Sequence, residues 1–521
     1  MSENRPDDVR RADSARGASA VPDPARDDVH PSGTTSGAGP TPGGEASGAR
    51  GGLDRYFEIT RRGSTMAREI RGGLTTFFTM AYIIVLNPII LTGVADMTGA
   101  QLPFAAVAST TALVAAVMTI LMGVVGKFPM ALAAGLGINA QVAAIAQFQL
   151  PWEQVMGLVV LEGVLITLLV VTGFRRAVFE AIPHQLKIAI SVGIGLFLTF
   201  IGLKDAGFTQ PHETGAPVLM GQFGELKGWP VLVFVIGVLL MAVLYVKRVR
   251  GSILIAIITA TVLAIIIERI AKVGPHIGAD GEIANATGWQ LNVPALPDQV
   301  VAAPDLSIIG DVDLFGAFQA SAIGAILIIF TLMLADFFDT MGTTVAVASE
   351  ANLLKDDGKV DNLDRILVVD SLSAVAGGAA SVSSNTTYIE STSGVADGAR
   401  TGLASVVTGV MFLIAMFFAP LVNIVPSEAA APALIIVGAL MIMQVKELDL
   451  RDFTEVVPIF LTIALMPFTY SITNGIGAGF IAWVLLHVVT GKRREIHWLM
   501  WIVTVLFVIY FAIDPIRQLF S

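Results

Sequence analysis

The chain has 521 residues, of which 54% are hydrophobic and only 14% charged, with a mean hydropathy of +0.75. Soluble domains carry about 25% charged residues, so most of this surface meets lipid, which excludes a soluble globular protein. With no cysteine, disulfides, thiolate metal sites and cysteine nucleophiles are excluded as well. The net charge of −10 is divided between two sides of a membrane and does not act as one field. The basic residues stand singly between apolar runs, so no nucleic-acid surface is available.

Residues 1–60 read as a disordered cytoplasmic tail. Met1 to Gly52 is rich in Ser, Gly, Pro, Ala, Arg and Asp, and cannot bury enough apolar area to offset its ordering entropy. It has no apolar core of a secretory signal. It serves either as a solvated tail or as a regulatory arm.

A hydrocarbon core of ~30 Å needs about twenty apolar residues as helix. In the first half the candidate spans are Gly72–Leu91, Pro103–Val125, a Gly-broken Met130–Phe148, Met156–Gly173, Leu186–Leu203, Trp229–Val246 and Ser252–Ile270. A polar segment, 272–313, follows as an extracytoplasmic loop. The second half offers Phe315–Thr340, Ile366–Ala380, a short broken span at Thr386–Val395, Leu403–Ile424, Ala433–Val445, Phe453–Tyr470 and Gly475–Val489. Lys and Arg cluster in every second loop, with Arg61, Arg62, Arg68 and Arg71 before the first span and Lys492, Arg493 and Arg494 after the last; Lys204 and Lys227 are the exceptions. That alternation predicts fourteen spans with the N-terminus in the cytoplasm. The C-terminal hydrophobic segment, 492–521, contains the run His497–Ile513, which either crosses again or lies folded back at the interface.

Fourteen spans divide into two sets of seven, 68–270 and 315–491. An odd number reverses orientation, which gives inverted repeats. The third span of each half is interrupted, by Ala131-Leu-Ala-Ala-Gly-Leu-Gly-Ile-Asn-Ala140 and by Asn385-Thr-Thr-Tyr-Ile-Glu390. Interrupted spans at matching places mark binding sites near the midplane. The competing reading gives Gly135 and Gly137 to tight helix packing alone.

Carboxylates inside apolar spans are costly and mark substrate or proton sites. Asp336 and Asp339, three apart, share a helix face, and Glu390 lies in the second broken span. Protonation of such a group and substrate occupancy can stabilise each other, so these three are the candidates for proton coupling. Asp339 otherwise caps a neighbouring helix. Glu162 is a further candidate, with a helix-to-helix hydrogen bond as its other reading, and Asp370 and Asp397 read as polar glue or caps. Asn139 contacts substrate or fixes the site. No Lys or Arg lies in the two segments, so a small, flat, mostly neutral ring suits them, with Tyr388, Phe337 or Phe338 over its face.

Asn385-Thr-Thr-Tyr-Ile-Glu-Ser-Thr-Ser-Gly-Val395 resembles the signature of the nucleobase–cation symporter-2 superfamily. Arg68-Glu-Ile-Arg-Gly-Gly-Leu-Thr-Thr-Phe-Phe-Thr-Met-Ala-Tyr-Ile-Ile-Val-Leu-Asn-Pro88, Asp336-Phe-Phe-Asp-Thr-Met-Gly342, Ala399-Arg-Thr-Gly-Leu403 and Ala433-Leu-Ile-Ile-Val-Gly438 are similar to the AzgA-like adenine/guanine/hypoxanthine permeases. The resemblance covers about Arg68 to Gly491. It implies an all-α polytopic fold with UraA-like core and gate domains, spans one to four and eight to eleven against the rest. It implies a transporter of the cell membrane, not an enzyme, that imports purine nucleobases by proton symport and alternating access, with no cofactor beyond the coupling proton. Carried over by position, Asp336 and Glu390 match substrate-binding carboxylates, and Asp339 and Asn139 match positions needed for transport. Relatives carry a proline where this chain reads Ala133-Ala-Gly-Leu-Gly-Ile-Asn139, which predicts a relaxed helix break there. A homodimer is left open. The alternatives are the same fold carrying xanthine, uracil, an anion or another small solute, a channel, and an intramembrane aspartyl protease.

Overall fold

The computed structural model describes residues 52–173, 181–210, 218–221, 225–278, 283–296, 299–353, 360 and 362–512. Most of the expected tail, Arg175, Arg176, Lys355, Lys359 and the last nine residues lie outside the described residues, as does the side chain of Phe338. Most expected spans coincide with apolar helix; Thr386–Val395 does not, being a strand, Asn385–Thr387, followed by the six-residue helix Ser391–Ala396, and Met130–Phe148 is helical only from Leu136. Among the described residues, ten spans, some built from joined helices, are long and apolar enough to cross a membrane, beginning with Met66–Thr92 and ending with Ile472–Val489. Leu136–Phe148, Phe453–Phe468 and Trp498–Phe511 are shorter apolar helices. The fold is that of a helical polytopic membrane protein.

Two boundaries differ from expectation. The stretch 52–60, grouped with the tail by composition, contains a helix, Gly52–Phe57. Phe57 and Ile59 are buried against Leu403: two large apolar side chains suffice to dock a segment whose average composition is polar. The helix carrying Asp336 runs Ala322–Glu350, ten residues beyond the expected Thr340. Its later residues include Thr343, Thr344, Val347 and Ala348, all buried, so neighbouring protein replaces lipid around a less apolar turn.

The chain is also not purely helical. Strand β1 (Leu132–Ala134) pairs antiparallel with β4 (Asn385–Thr387), Ala133 opposite Thr386. Two further strands, β2 (Thr209–Gln210) and β3 (Leu219–Met220), form a short hairpin pair. The β1–β4 ladder is extended by Gly135 N donating to Ser384 O at 2.9 Å and Tyr388 N donating to Ala131 O at 3.0 Å. Non-helical backbone this deep must satisfy its own polar groups, and each strand is the other's partner. The break expected to relax without proline therefore stays extended, with Gly135 at φ −74 and ψ 117.

Glycines let the surrounding helices close on this ladder. A Cβ on Gly163 would lie 2.5 Å from Val375 N, and one on Gly378 would lie 2.7 Å from Val160 N. Trp152–Val171 and Leu363–Ala379 therefore meet backbone to backbone, the small-residue contact that drives association in lipid. A Cβ on Gly123, in the turn Met122–Gly126 that continues Phe104–Leu121, would lie 2.4 Å from Gly402 O, so both pieces pack against Gly402–Ala415.

Candidate functional site

Beyond the ladder the chain becomes helical again on both sides. β1 leads into Leu136–Phe148 and β4 into the six-residue helix Ser391–Ala396. Asn139 sits one turn into the first, fully buried, and neither its Oδ1 nor its Nδ2 has a hydrogen-bond partner. The first amides of that helix have no intrahelical acceptor, and the positive end of its dipole points toward the same interior.

Glu390 stands immediately before the second helix, half-buried. Tyr82 donates its hydroxyl to Glu390 Oε1 at 2.5 Å. Tyr82 is buried at the junction between Met66–Met80 and Ile83–Thr92. Asp339 is exposed, and its charge acts on Glu390, Tyr82 and Tyr388. Tyr245, 44% exposed at the end of Trp229–Val246, also feels the charge of Glu390. Glu390, Asp339, Tyr82, Tyr245 and Tyr388 thus converge from separate elements on one accessible cluster.

Tyr388, expected over the face of a bound ring, is anchored through its hydroxyl. Its hydroxyl donates to Ala134 O at 2.6 Å, and the residue is buried. The hydroxyl ties the end of β4 to the end of β1, so Tyr388 supports the cluster from below. Phe337 is likewise buried.

Asp336 is fully buried and its charge falls on Glu162 of the neighbouring helix, also fully buried. The expected shared face of Asp336 and Asp339 divides in this way because three residues of α-helix leave their side chains about 60° apart. Ser384 donates to Glu162 Oε2 at 3.2 Å, while Oε1 has no hydrogen-bond partner. Beside them Thr340 donates to Asp370 Oδ1 at 2.9 Å and lies 3.0 Å from Thr386 Oγ1. Asp370 is thus polar glue, fastening the Asp336 helix and Leu363–Ala379 to β4.

Asp397 closes the short helix at the end opposite Glu390. Thr75 donates to its Oδ2 at 2.5 Å, Arg71 donates to its carbonyl at 2.6 Å, and Arg250 forms an ion pair with its Oδ1. Its reading as polar glue agrees with these contacts. A cavity of about 240 Å³ lies elsewhere, between Gln101, Trp152, Glu153, Ile308 and Asp311, and includes no residue of either carboxylate cluster.

Sequence reasoning did not single out Tyr82 or Tyr245. The available signal for Tyr82 was a polar-tipped aromatic inside an apolar span, whose hydroxyl needs a partner when buried. Tyr245 offered none, because a tyrosine near the end of a span is ordinary at a membrane interface.

Apolar spans enclosing acidic groups on broken backbone define a membrane transporter. A model of the Permease family matches residues 67–478. The guanine/hypoxanthine permease PbuG of Bacillus subtilis is 37% identical over 464 residues, 88% of this chain and 99% of that protein. The adenine permease AdeQ of Escherichia coli is also 37% identical over 464 residues, 88% of this chain and 96% of that one. Among solved structures, the transmembrane domain of a cyanobacterial bicarbonate transporter, BicA, aligns with a TM-score of 0.54 at 15% identity, over 80% of this chain and 97% of that domain; at that identity the likeness is one of fold. The chain belongs to the Permease family, within the nucleobase–cation symporter-2 group.

Proposed function

We propose that this protein imports purine nucleobases by proton symport and alternating access, with the base held by Glu390 and Asp336 and coupling carried by Asp336, Asp339 and Glu390. The observation that carries the reading is near full-length similarity to relatives named as guanine/hypoxanthine and adenine permeases. The site chemistry agrees: ring N–H groups donate to carboxylates, and Asn139 offers both a donor and an acceptor that lack partners. An anion is disfavoured, because the accessible groups nearest the ladder are acidic.

The same reading takes the chain as fourteen spans in two inverted sets of seven, with the third and tenth interrupted at β1 and β4 and the N-terminus cytoplasmic. Packing supports it. Trp152–Val171 lies along Leu363–Ala379 as Gly402–Ala415 lies along Phe104–Leu121: spans four and nine, and their counterparts eleven and two. His184–Asp205 against Pro432–Ile442, spans five and twelve, is its own counterpart, as is β1 with β4. A core of spans one to four and eight to eleven then moves against a gate formed by the rest.

The test is uptake of labelled hypoxanthine, adenine and guanine into proteoliposomes with and without an inward proton gradient. Gradient-dependent accumulation that unlabelled purines block is expected, together with its loss in Glu390→Gln. Transport of no purine by sealed vesicles, or normal transport by that variant, would sink the cargo or the site respectively.

A further inference from the structure

Glu162 has no role in the site as read above, yet it is among the fully buried carboxylates. It lies midway along Trp152–Val171, fully buried. One oxygen accepts from Ser384 and the other, Oε1, has no hydrogen-bond partner. The neighbouring Gly163 and Gly378 bring the backbones of two helices together, so the side chain cannot swing out to solvent.

Among the described residues, the elements packed on its helix supply no nearby cation. Leu136–Phe148 and Gly316–Ala320 contain no titratable residue. Ala322–Glu350 brings Asp336, Asp339 and Glu350, and Leu363–Ala379 brings Asp364, Arg365 and Asp370. Arg365 is ten residues from Val375, the residue that touches Gly163, and so about 15 Å away along the axis. The charge that reaches Glu162 is that of Asp336. Two facing carboxylates in an apolar interior do not both stay charged without a counter-cation.

We infer that Glu162 and Asp336 together form the site of the coupling cation, one layer behind the base. The inference rests on the reading of Asp336 as a base-binding carboxylate. A ring N–H donated to Asp336 needs an unprotonated oxygen there. A proton shared by the pair then resides on Glu162 Oε1, the oxygen without a partner. No covalent bond of the base changes, and the proton moves only between two carboxylates. Base and cation each favour the other's binding although Glu162 never touches the base. A sodium ion held between the same oxygens would couple by the same electrostatics.

The experiment uses Glu162→Gln in proteoliposomes with two readouts of labelled hypoxanthine, counterflow without any gradient and accumulation under an inward proton or an inward sodium gradient. Counterflow should persist while the accumulation ratio falls to one. The gradient that drives the wild type identifies the cation. Accumulation at the wild-type ratio by the variant overturns the inference. So does loss of counterflow in variant protein that stays monodisperse, since Glu162 would then hold the base or the helix pair. Should Glu162→Gln misfold, Ser384→Ala removes one hydrogen bond from the same carboxylate and should shift the pH profile of accumulation; an unmoved profile overturns the inference equally. A wild type that exchanges no purine sinks the cargo reading and this inference with it. A wild type that accumulates hypoxanthine beside a variant that does the same sinks this inference alone.

Discussion

The cluster around Glu390 and the pair formed by Glu162 and Asp336 share their chemistry but not their access. Glu390 is half-buried, Asp339 is exposed and Tyr245 is 44% exposed, on separate elements. Glu162 and Asp336 are both fully buried, and Glu162 lies on a helix that meets its neighbour through glycines. A carboxylate that can be reached can exchange partners with a solute. Glu162, sealed beside a like charge and one layer behind the base, can exchange only something as small as a cation. Ser384 and Tyr388 flank strand β4, the first bonding to Glu162 and the second to Ala134 of β1.

Breaking the reachable cluster should have the largest effect. Glu390→Gln removes a charged acceptor and should weaken base binding by about 10- to 150-fold, the range for a hydrogen bond to a charged group at about 1.5–3 kcal/mol; equilibrium binding of hypoxanthine measures it. Breaking the seal comes next. Gly163→Val forces side-chain atoms into the backbone of Leu363–Ala379 and should lower stability by about 1–3 kcal/mol, read as a lower melting temperature in detergent. Tyr82→Phe leaves Glu390 in place but removes its donor at 2.5 Å. About a tenfold loss of affinity with unchanged melting is expected, at the lower end for a bond to a charged group.

Asp96 provides a control outside both clusters. Burial opposes its charge, but donors at Thr98, Trp152 N and Ala100 N outweigh that and hold its carboxyl below the usual range. Its contribution to stability is present above the unfolded value, about 3.9, and is lost as pH falls through the lower folded value. The melting difference between wild type and Asp96→Asn should therefore hold steady from pH 7 to about 4 and shrink below that, with hypoxanthine affinity unaltered. The smallest effect belongs to Arg250→Ala. Its ion pair with Asp397 is largely exposed on the arginine side, and such pairs contribute at most about 1 kcal/mol. A modest change in uptake rate without a change in affinity is expected.

The spans were legible because an apolar run of membrane length suits little besides a helix in lipid, and Trp229–Val246 coincided with its helix residue for residue. Asp336, Glu390 and Asn139 were legible because polar groups inside such runs are conspicuous. The antiparallel pairing of Leu132–Ala134 with Asn385–Thr387 was not, since three-residue strands separated by some 250 positions leave no periodic trace. The separation of Asp336 from Asp339 was also hidden. Helical spacing gives a common face but not which neighbour each side chain meets. Tyr82 escaped because its function depends on a partner more than three hundred residues away.

Direct binding of labelled hypoxanthine to purified wild type, Glu390→Gln and Glu162→Gln, compared at one pH, tests the division between a reachable base site and a sealed cation site. Binding should weaken about 10- to 150-fold in Glu390→Gln and be retained in Glu162→Gln. Retention in the first and loss in the second, with both variants folded, would contradict it.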